Sequence, residues 1–135
     1  MPIIKWEENY SVNIREIDEQ HKKLFSIIDE FYEASITERA PEKIEETFKR
    51  LIDYADYHLN TEEKYFKQFD YPDKEAHTAQ HDDYRKKINE WHKNYKSDVH
   101  ASSINLMDFL QNWWTNHVIH TDKKYSDFFN KHGLK

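Results

Sequence analysis

The segment from His58 to His81 reads HLNTEEKYFKQFDYPDKEAHTAQH and carries two pairs of potential metal ligands at the same spacing. His58 and Glu62 are four residues apart, and so are His77 and His81. Side chains four residues apart lie on nearly the same face of an α-helix. Each pair is therefore suited to bind one metal ion from a single helix.

The sequence DYPD at residues 70–73 separates the two pairs and predicts that the chain reverses there. If the two flanking helices pack antiparallel, both pairs lie at similar depth in one bundle. The segment thus predicts a metal site inside a helical bundle.

Apolar residues recur at steps of three and four through most of the chain, which is the period of an amphipathic α-helix. Pro41 suits the first position of a helix, and Asp73 suits a cap. Residues 97–103 lack the period and predict a loop. The predicted helices span about residues 18–35, 41–69, 73–96 and 103 onward.

Both ends of the chain differ from this pattern. Residues 1–17 contain several large apolar residues but no helical period, which predicts an extended arm anchored by Trp6. Phe128 and Phe129 predict a short amphipathic helical tail. The expected fold is all-α, an up-down-up-down four-helix bundle with short connections. One domain is expected over residues 1–135, with the bundle at about 18–130.

Six polar residues interrupt the apolar stripes, and every helix supplies at least one. A lone histidine on an apolar face is usually an ordinary core residue, but burying six such groups without partners would cost several kcal/mol each. A bound cation removes this cost, because imidazole nitrogens and carboxylate oxygens become its ligands. The chain has no cysteine, so nitrogen and oxygen must hold the metal. The six residues are His21, His58, Glu62, His77, His81 and His117.

Six ligands are too many for one tetrahedral zinc and suit two ions bridged by a glutamate. A second bridge is expected near His117, where His120 and Asp122 are the candidates. His120 is three residues along and faces roughly the same way, whereas Asp122 is about 140° round an ideal helix. A π-type widening would return Asp122 to the same face. Spacing alone leaves this choice open.

Composition excludes several other functions. The net charge of −6 argues against a nucleic-acid partner. No apolar run approaches the roughly 20 residues that span a bilayer, so no membrane association is expected. The N-terminus lacks the features of a signal peptide, and we expect a cytoplasmic protein. The single glycine, Gly133, argues against Gly-rich phosphate loops.

The order of potential ligands, H…HxxxE…HxxxH…HxxxxD, resembles that of the hemerythrin family. The flanking segments VNIREIDEQHKKLF and WWTNHVIHTDKKY match as well. The resemblance extends from Trp6 to about Phe129, and bacteriohemerythrins are the members that the chain most resembles. The matching residues are His21, His58, Glu62, His77, His81, His117 and Asp122.

The resemblance implies a non-haem di-iron centre that binds O₂ reversibly. Glu62 and Asp122 would bridge the two irons together with a hydroxide or oxo group, so the resemblance selects Asp122 over His120. The implied ligands of one iron are His77, His81 and His117. The implied ligands of the other iron, which keeps an open position, are His21 and His58.

Residues one turn from these ligands are candidates for an apolar pocket that excludes water and proton donors. Trp114 stands where the family commonly has leucine, and its larger ring would narrow the pocket or slow ligand exchange. The pocket candidates are Leu24, Leu59, Trp113, Trp114, Val118 and Tyr125. The residues expected at the surface are Glu63, His92, His100 and His132.

The implied function is oxygen storage, transport or delivery by a protein that is not an enzyme. We expect a monomer, with an oxygen-consuming enzyme as a candidate partner. Oxygen or redox sensing and iron handling are the alternatives at the same site. A carboxylate-rich di-iron oxidase is disfavoured, because none of the nine histidines has the glutamate three residues before it that such proteins carry.

Overall fold

The computed structural model describes residues 4–37, 41–94 and 99–135, which form helices and no strands. Helix α1 packs against α2 and α4, and α2 packs against α3, as in an antiparallel bundle with short connections. Among the described helices, none has the length and apolar character needed to cross a membrane. The predicted four-helix bundle is confirmed. Its long helices are α1 (Arg15–Ile36), α2 (Pro41–Gln68), α3 (Lys74–Asn94) and α4 (Val99–Asn116).

The predicted apolar stripes form the core. Phe31 of α1 and Phe48 of α2 are fully buried, and their ring centroids are 4.9 Å apart. Burying a side chain of this kind contributes about 1.5–3 kcal/mol. On α2 the stripe is buried from Ile44 to Phe66, and His58 and Glu62 continue it without a break. The helices are thus held together by the same faces that carry the candidate ligands.

Helix α2 ends in a left-handed cap at the predicted chain reversal. Asp70 has a φ of 53°, and its N–H donates to the Lys67 carbonyl at 3.3 Å. The Tyr71 N–H donates to the Phe66 carbonyl at 2.9 Å, and the two rings pack 5.3 Å apart. These bonds and the apolar contact define a Schellman cap, in which aspartate tolerates the positive φ better than most residues. The cap directs the chain back along the bundle into α3.

Two predicted boundaries are wrong. Helix α4 begins at Val99, within the predicted loop, because its first residues, VHASS, are too small and mixed to show an apolar period. Residues 95–98 lie outside the described part of the chain. Helix α1 begins at Arg15, three residues before the predicted start, and the Asp18 N–H already donates to the Ile14 carbonyl at 2.9 Å.

The N-terminal arm lies against the bundle. Trp6 packs on Phe25 of α1 with ring centroids 6.3 Å apart, and the fully buried Val12 donates its N–H to Asp18 at 2.9 Å. The arm is not uniformly extended, because a 3₁₀ turn spans Glu8–Tyr10.

The chain leaves α-helical geometry after Asn116. A π-helical turn at His117–Thr121 is followed by a 3₁₀ turn at Asp122–Tyr125 and a short helix, α5 (Ser126–Lys131). Helix α5 is the predicted tail, and its Phe129 is fully buried. This change of helical geometry determines the direction in which Asp122 points.

Candidate metal centre

All seven predicted ligands converge in one buried region of the bundle, and none is more than 3% exposed. They form two groups in which every ligand atom lies within 4.8 Å of the others. The first group is Glu62, His77, His81, His117 and Asp122. The second group is His21, His58, Glu62 and Asp122. Two carboxylates shared by neighbouring groups are what a pair of bridged metal ions requires.

The first group has three imidazole nitrogens facing one point. The Nε2 atom of His117 is 3.1 Å from Nε2 of His77 and 3.2 Å from Nε2 of His81. Asp122 Oδ1 is 2.9 Å from the His77 nitrogen and 3.0 Å from the His117 nitrogen. Two nitrogens bound at right angles, each about 2.1 Å from one ion, would be about 3 Å apart. The observed spacing fits a shared ion.

The second group has one histidine fewer. His21 Nε2 is 3.1 Å from Asp122 Oδ2, and His58 Nε2 is 3.3 Å from Glu62 Oε1. The two imidazole rings meet edge to face, with centroids 4.5 Å apart. An ion bound here would have two nitrogens where the first group offers three.

Buried atoms without hydrogen bonds test whether these residues fit metal ions. In the described part of the chain, six such atoms belong to the second group: both nitrogens of His21, Nε2 of His58, Oε1 of Glu62 and both carboxylate oxygens of Asp122. Several of them approach one another closely, but without the geometry of a hydrogen bond. Leaving a polar group in this state costs roughly 1–3 kcal/mol. Converging lone pairs of nitrogen and oxygen are what metal ions bind, so the residues fit.

The π-helical turn brings Asp122 into the centre. The Asp122 N–H donates to the carbonyl of His117, five residues earlier, and this wider turn returns Asp122 to the face of His117. His120 is exposed and lies outside both groups. The choice that spacing left open is thereby decided in favour of Asp122 as the member of the cluster.

Three of the histidines are oriented by acceptors from a neighbouring helix. His58 Nδ1 is 2.7 Å from Gln20 Oε1, and His117 Nδ1 is 3.1 Å from Gln80 Oε1. Because the amide oxygen can only accept, the proton of the neutral imidazole lies on Nδ1, and Nε2 is free to bind a metal. Gln20 on α1 thus orients a histidine on α2, and Gln80 on α3 orients His117 in the π-helical turn that follows α4.

Glu63 completes this set. Its Oε2 is 2.7 Å from His81 Nδ1, so α2 supplies the acceptor for α3. The expectation that Glu63 is solvated is wrong, because its carboxylate lies over His81 and also meets Arg85 Nη1 at 2.9 Å. Sequence reasoning missed all three acceptors. The available signal was that each is the immediate neighbour of a ligand in the chain.

The electrostatics of the carboxylates are set by the surrounding histidines. Burial and the nearby Asp122 act to raise the pKa of Glu62, but His58 and His81 outweigh them and lower it. Burial also acts to raise the pKa of Asp122, and contacts with three histidines hold it well below its usual range. Both carboxylates are therefore ionised and able to bind a cation.

The histidines respond in opposite directions. Burial lowers the pKa of His58 more than the charge of Glu62 raises it. Burial also acts to lower the pKa of His81, but the neighbouring carboxylates of Glu62 and Glu63 raise it to about 9. In the absence of a metal, His81 therefore keeps its proton at neutral pH.

The pocket candidates are nearly all buried around the cluster. Trp114 is fully buried, and its ring centroid is 6.0 Å from that of His58. The Tyr125 hydroxyl donates to Glu62 Oε2. Trp113 is only half-buried and stacks on His117 at 4.3 Å. The fully buried members of the predicted pocket are Leu24, Leu59, Trp114, Val118 and Tyr125.

The remaining histidines lie outside the cluster. His132 is exposed, and the side chain of His100 lies outside the described residues. His92 was expected at the surface but is half-buried, because it packs on Phe48 and its Nε2 is 2.6 Å from Glu45 Oε1.

Comparisons with known proteins agree with this geometry. The profile of the family described as "Hemerythrin HHE cation binding domain" matches residues 12–128. The bacteriohemerythrin of Clostridium acetobutylicum is 29% identical over 126 residues, covering 90% of this chain and 98% of that protein. The myohemerythrin of Theromyzon tessulatum is 27% identical over 121 residues, covering 90% and 89%. A wild-type hemerythrin crystal structure shares the fold, with a TM-score of 0.80, 23% identity and coverage of 93% and 96%.

Proposed function

The chain belongs to the hemerythrin family, and on this premise we propose that it binds O₂ reversibly at a non-haem di-iron centre. The observation that carries the proposal is the pair of ligand groups that share Glu62 and Asp122, with one histidine fewer in the second group. Imidazole suits iron, and shared carboxylates suit two neighbouring ions. The resemblance to bacteriohemerythrins, predicted from the ligand pattern, is confirmed.

In this proposal each ligand has a distinct role. Glu62 and Asp122 would be shared by the two ions, together with a hydroxide or oxo group. The first ion would be held by His77, His81 and His117, and the second by His21 and His58. The smaller set would leave room for O₂ at the second ion, and the iron pair would supply the redox chemistry of reversible O₂ binding.

The surrounding residues keep the site dry and rigid. Leu24, Leu59 and Val118 are fully buried and exclude water from the histidine cluster. Tyr125 donates to Glu62 and so holds the orientation of that carboxylate. The effect of Trp114 on the size of the ligand pocket stays a prediction.

We further propose oxygen storage, transport or delivery as the role, without catalysis, in the cytoplasm and as a monomer. An oxygen-consuming enzyme is the proposed recipient. The similarity to proteins named bacteriohemerythrin and myohemerythrin supports this direction.

An anaerobic-to-aerobic absorption titration tests the proposal. The reduced, iron-loaded protein should take up about one O₂ per two irons, change its visible spectrum and recover the first spectrum on deoxygenation. Asp122→Asn should impair this cycle, whereas the matched change His120→Ala should leave it intact. Irreversible oxidation of the wild type on first exposure would overturn reversible binding in favour of an oxidase.

A further inference from the structure

The acceptors behind the ligand histidines differ in charge. Gln20 and Gln80 present neutral amide oxygens to His58 and His117, whereas Glu63 presents a carboxylate to His81. A charged acceptor draws more strongly on the Nδ1 proton and makes Nε2 a stronger donor to a metal. Among the acceptors that the structure describes, the one behind His81 is therefore unlike the others.

Arg85 meets the same carboxylate oxygen. Its Nη1 is 2.9 Å from Glu63 Oε2, the atom that lies 2.7 Å from His81 Nδ1. The guanidinium is held in place from α2, because Nε donates to Asp56 at 2.8 Å and Nη2 donates to Asn60 at 3.0 Å. Arg85 is four residues after His81 and so lies on the same face of α3.

This contact opposes the effect of the carboxylate. A guanidinium that shares Oε2 withdraws negative charge from the hydrogen bond to His81. Glu63 and Arg85 therefore act on His81 with opposite signs, through one oxygen atom. The side chains of Glu63 and Arg85 are 20% and 23% exposed. Because they lie at the edge of the core, substituting them does not create a cavity inside it.

We propose that Glu63 and Arg85 are a pair of positioning residues that set the reduction potential of the iron bound by His81. Glu63 strengthens the imidazole donor and favours the ferric ion, which lowers the potential. Arg85 limits that donation and raises the potential. The inference rests on the proposed di-iron centre. It predicts that a charged pair adjusts the reduction potential of the iron bound by His81, whereas the acceptors described behind His58 and His117 are neutral amides.

Redox titration of the iron-loaded protein tests the pair. Glu63→Gln should raise the midpoint potential, and Arg85→Gln should lower it. A tenfold change in the preference for ferric over ferrous iron corresponds to about 59 mV. Asp83→Asn and Lys86→Gln make the same charge changes at exposed positions of α3 and should leave the potential near that of the wild type.

A structural role alone would not produce shifts of opposite sign. Shifts in the same direction, or shifts matched by the α3 controls, would overturn the proposal. A second measurement uses Co²⁺ binding to the metal-free protein. Glu63→Gln should weaken this affinity about 10- to 100-fold, as loss of such a partner commonly does, and Arg85→Gln should not. Unchanged Co²⁺ affinity in Glu63→Gln would also refute the pair.

The two proposals fail separately. If the wild type takes up no O₂, reversible oxygen binding is wrong, while the Co²⁺ affinities still test Glu63 and Arg85. If the wild type binds O₂ but the two variants do not shift the potential in opposite directions, only the tuning pair is wrong.

Discussion

Tyr125→Phe removes a single hydrogen bond to the candidate metal centre and leaves the aromatic ring in place. The hydroxyl of Tyr125 is fully buried and donates to Glu62 Oε2, from the 3₁₀ turn that directly follows the π-helical turn. Burial, together with the charges of Asp122 and Glu62, raises the pKa of Tyr125 far above its usual value, so the hydroxyl keeps its proton. Phenylalanine preserves the ring, which packs on Phe129 at 4.9 Å and on His77 at 5.7 Å.

The expected loss follows from the charge of the acceptor. A hydrogen bond to an ionised group contributes about 1.5–3 kcal/mol net. In the metal-free protein, Tyr125→Phe leaves one buried oxygen of Glu62 without its donor. We therefore expect the free energy of unfolding to fall by about 1.5–3 kcal/mol, with the larger values if no water enters.

Urea denaturation of the metal-free protein measures this loss. Tyr71→Phe removes a hydroxyl from the same aromatic cluster, 6.3 Å away between ring centroids, and serves as the matched control. A double-mutant cycle with Glu62→Leu, which removes the acceptor, isolates the pair, and we expect a coupling of at least about 1.5 kcal/mol. A coupling below about 0.5 kcal/mol would refute the assignment of this contact.

Three further predictions concern the metal and the proton. Removing the metal should lower the melting temperature substantially, because the ligands are then buried without partners; an equally stable metal-free form, measured by calorimetry, would contradict the buried site. His58→Ala should reduce the bound iron from about two ions toward one per chain, and iron analysis showing full loading would count against its role, with His120→Ala as the control. In the metal-free protein, burial acts against protonation of His81, but its glutamate partners raise the pKa from 6.5 to about 9. Because the pKa of His81 is higher in the folded state, protonated His81 stabilises the fold. This contribution is fully present below pH 6.5 and is lost as the pH rises to about 9. We expect the free energy of unfolding to fall by about 3 kcal/mol over that window. Urea titrations at both pH values measure the change, and the same decrease in His81→Gln would assign it to other groups.

The positions of the candidate ligands were largely predictable from the sequence, and the acceptors that hydrogen-bond to them were not. His58 and Glu62 interrupt an apolar stripe, and a polar group in a buried stripe is visible in a single sequence. Glu63 is one residue off that stripe and has the same character as many exposed glutamates. Its role depends on where Arg85 and His81 of the next helix lie, and periodicity within one helix contains no such information.

The helix boundaries were likewise predicted in part from the sequence. The chain reversal at residues 70–73 was predicted because aspartate and proline are local turn signals, and the Schellman cap at Asp70 confirms it. The start of α4 was missed because its first residues, VHASS, form a helix without showing an apolar period. Turn-forming residues therefore located the chain reversal. The first turn of α4 has no hydrophobic face, so the sequence pattern did not predict it.

By itself, the sequence determined the four helical faces, the six polar residues that interrupt them, and the requirement for nitrogen and oxygen ligands. Helical periodicity and the absence of cysteine are properties of the chain alone. Residue spacing could not choose between Asp122 and His120, and the family resemblance gave Asp122 only as an expectation. The tertiary structure brings Asp122 into the cluster, since a π-helical turn rotates it back toward His117. It also decided that α1 and α2 each supply an acceptor for a histidine of the following helix, and that α3 supplies one for His117 in the π-helical turn after α4. The physical reason is that hydrogen bonds between helices depend on packing distance and rotation, which no periodicity within one helix specifies.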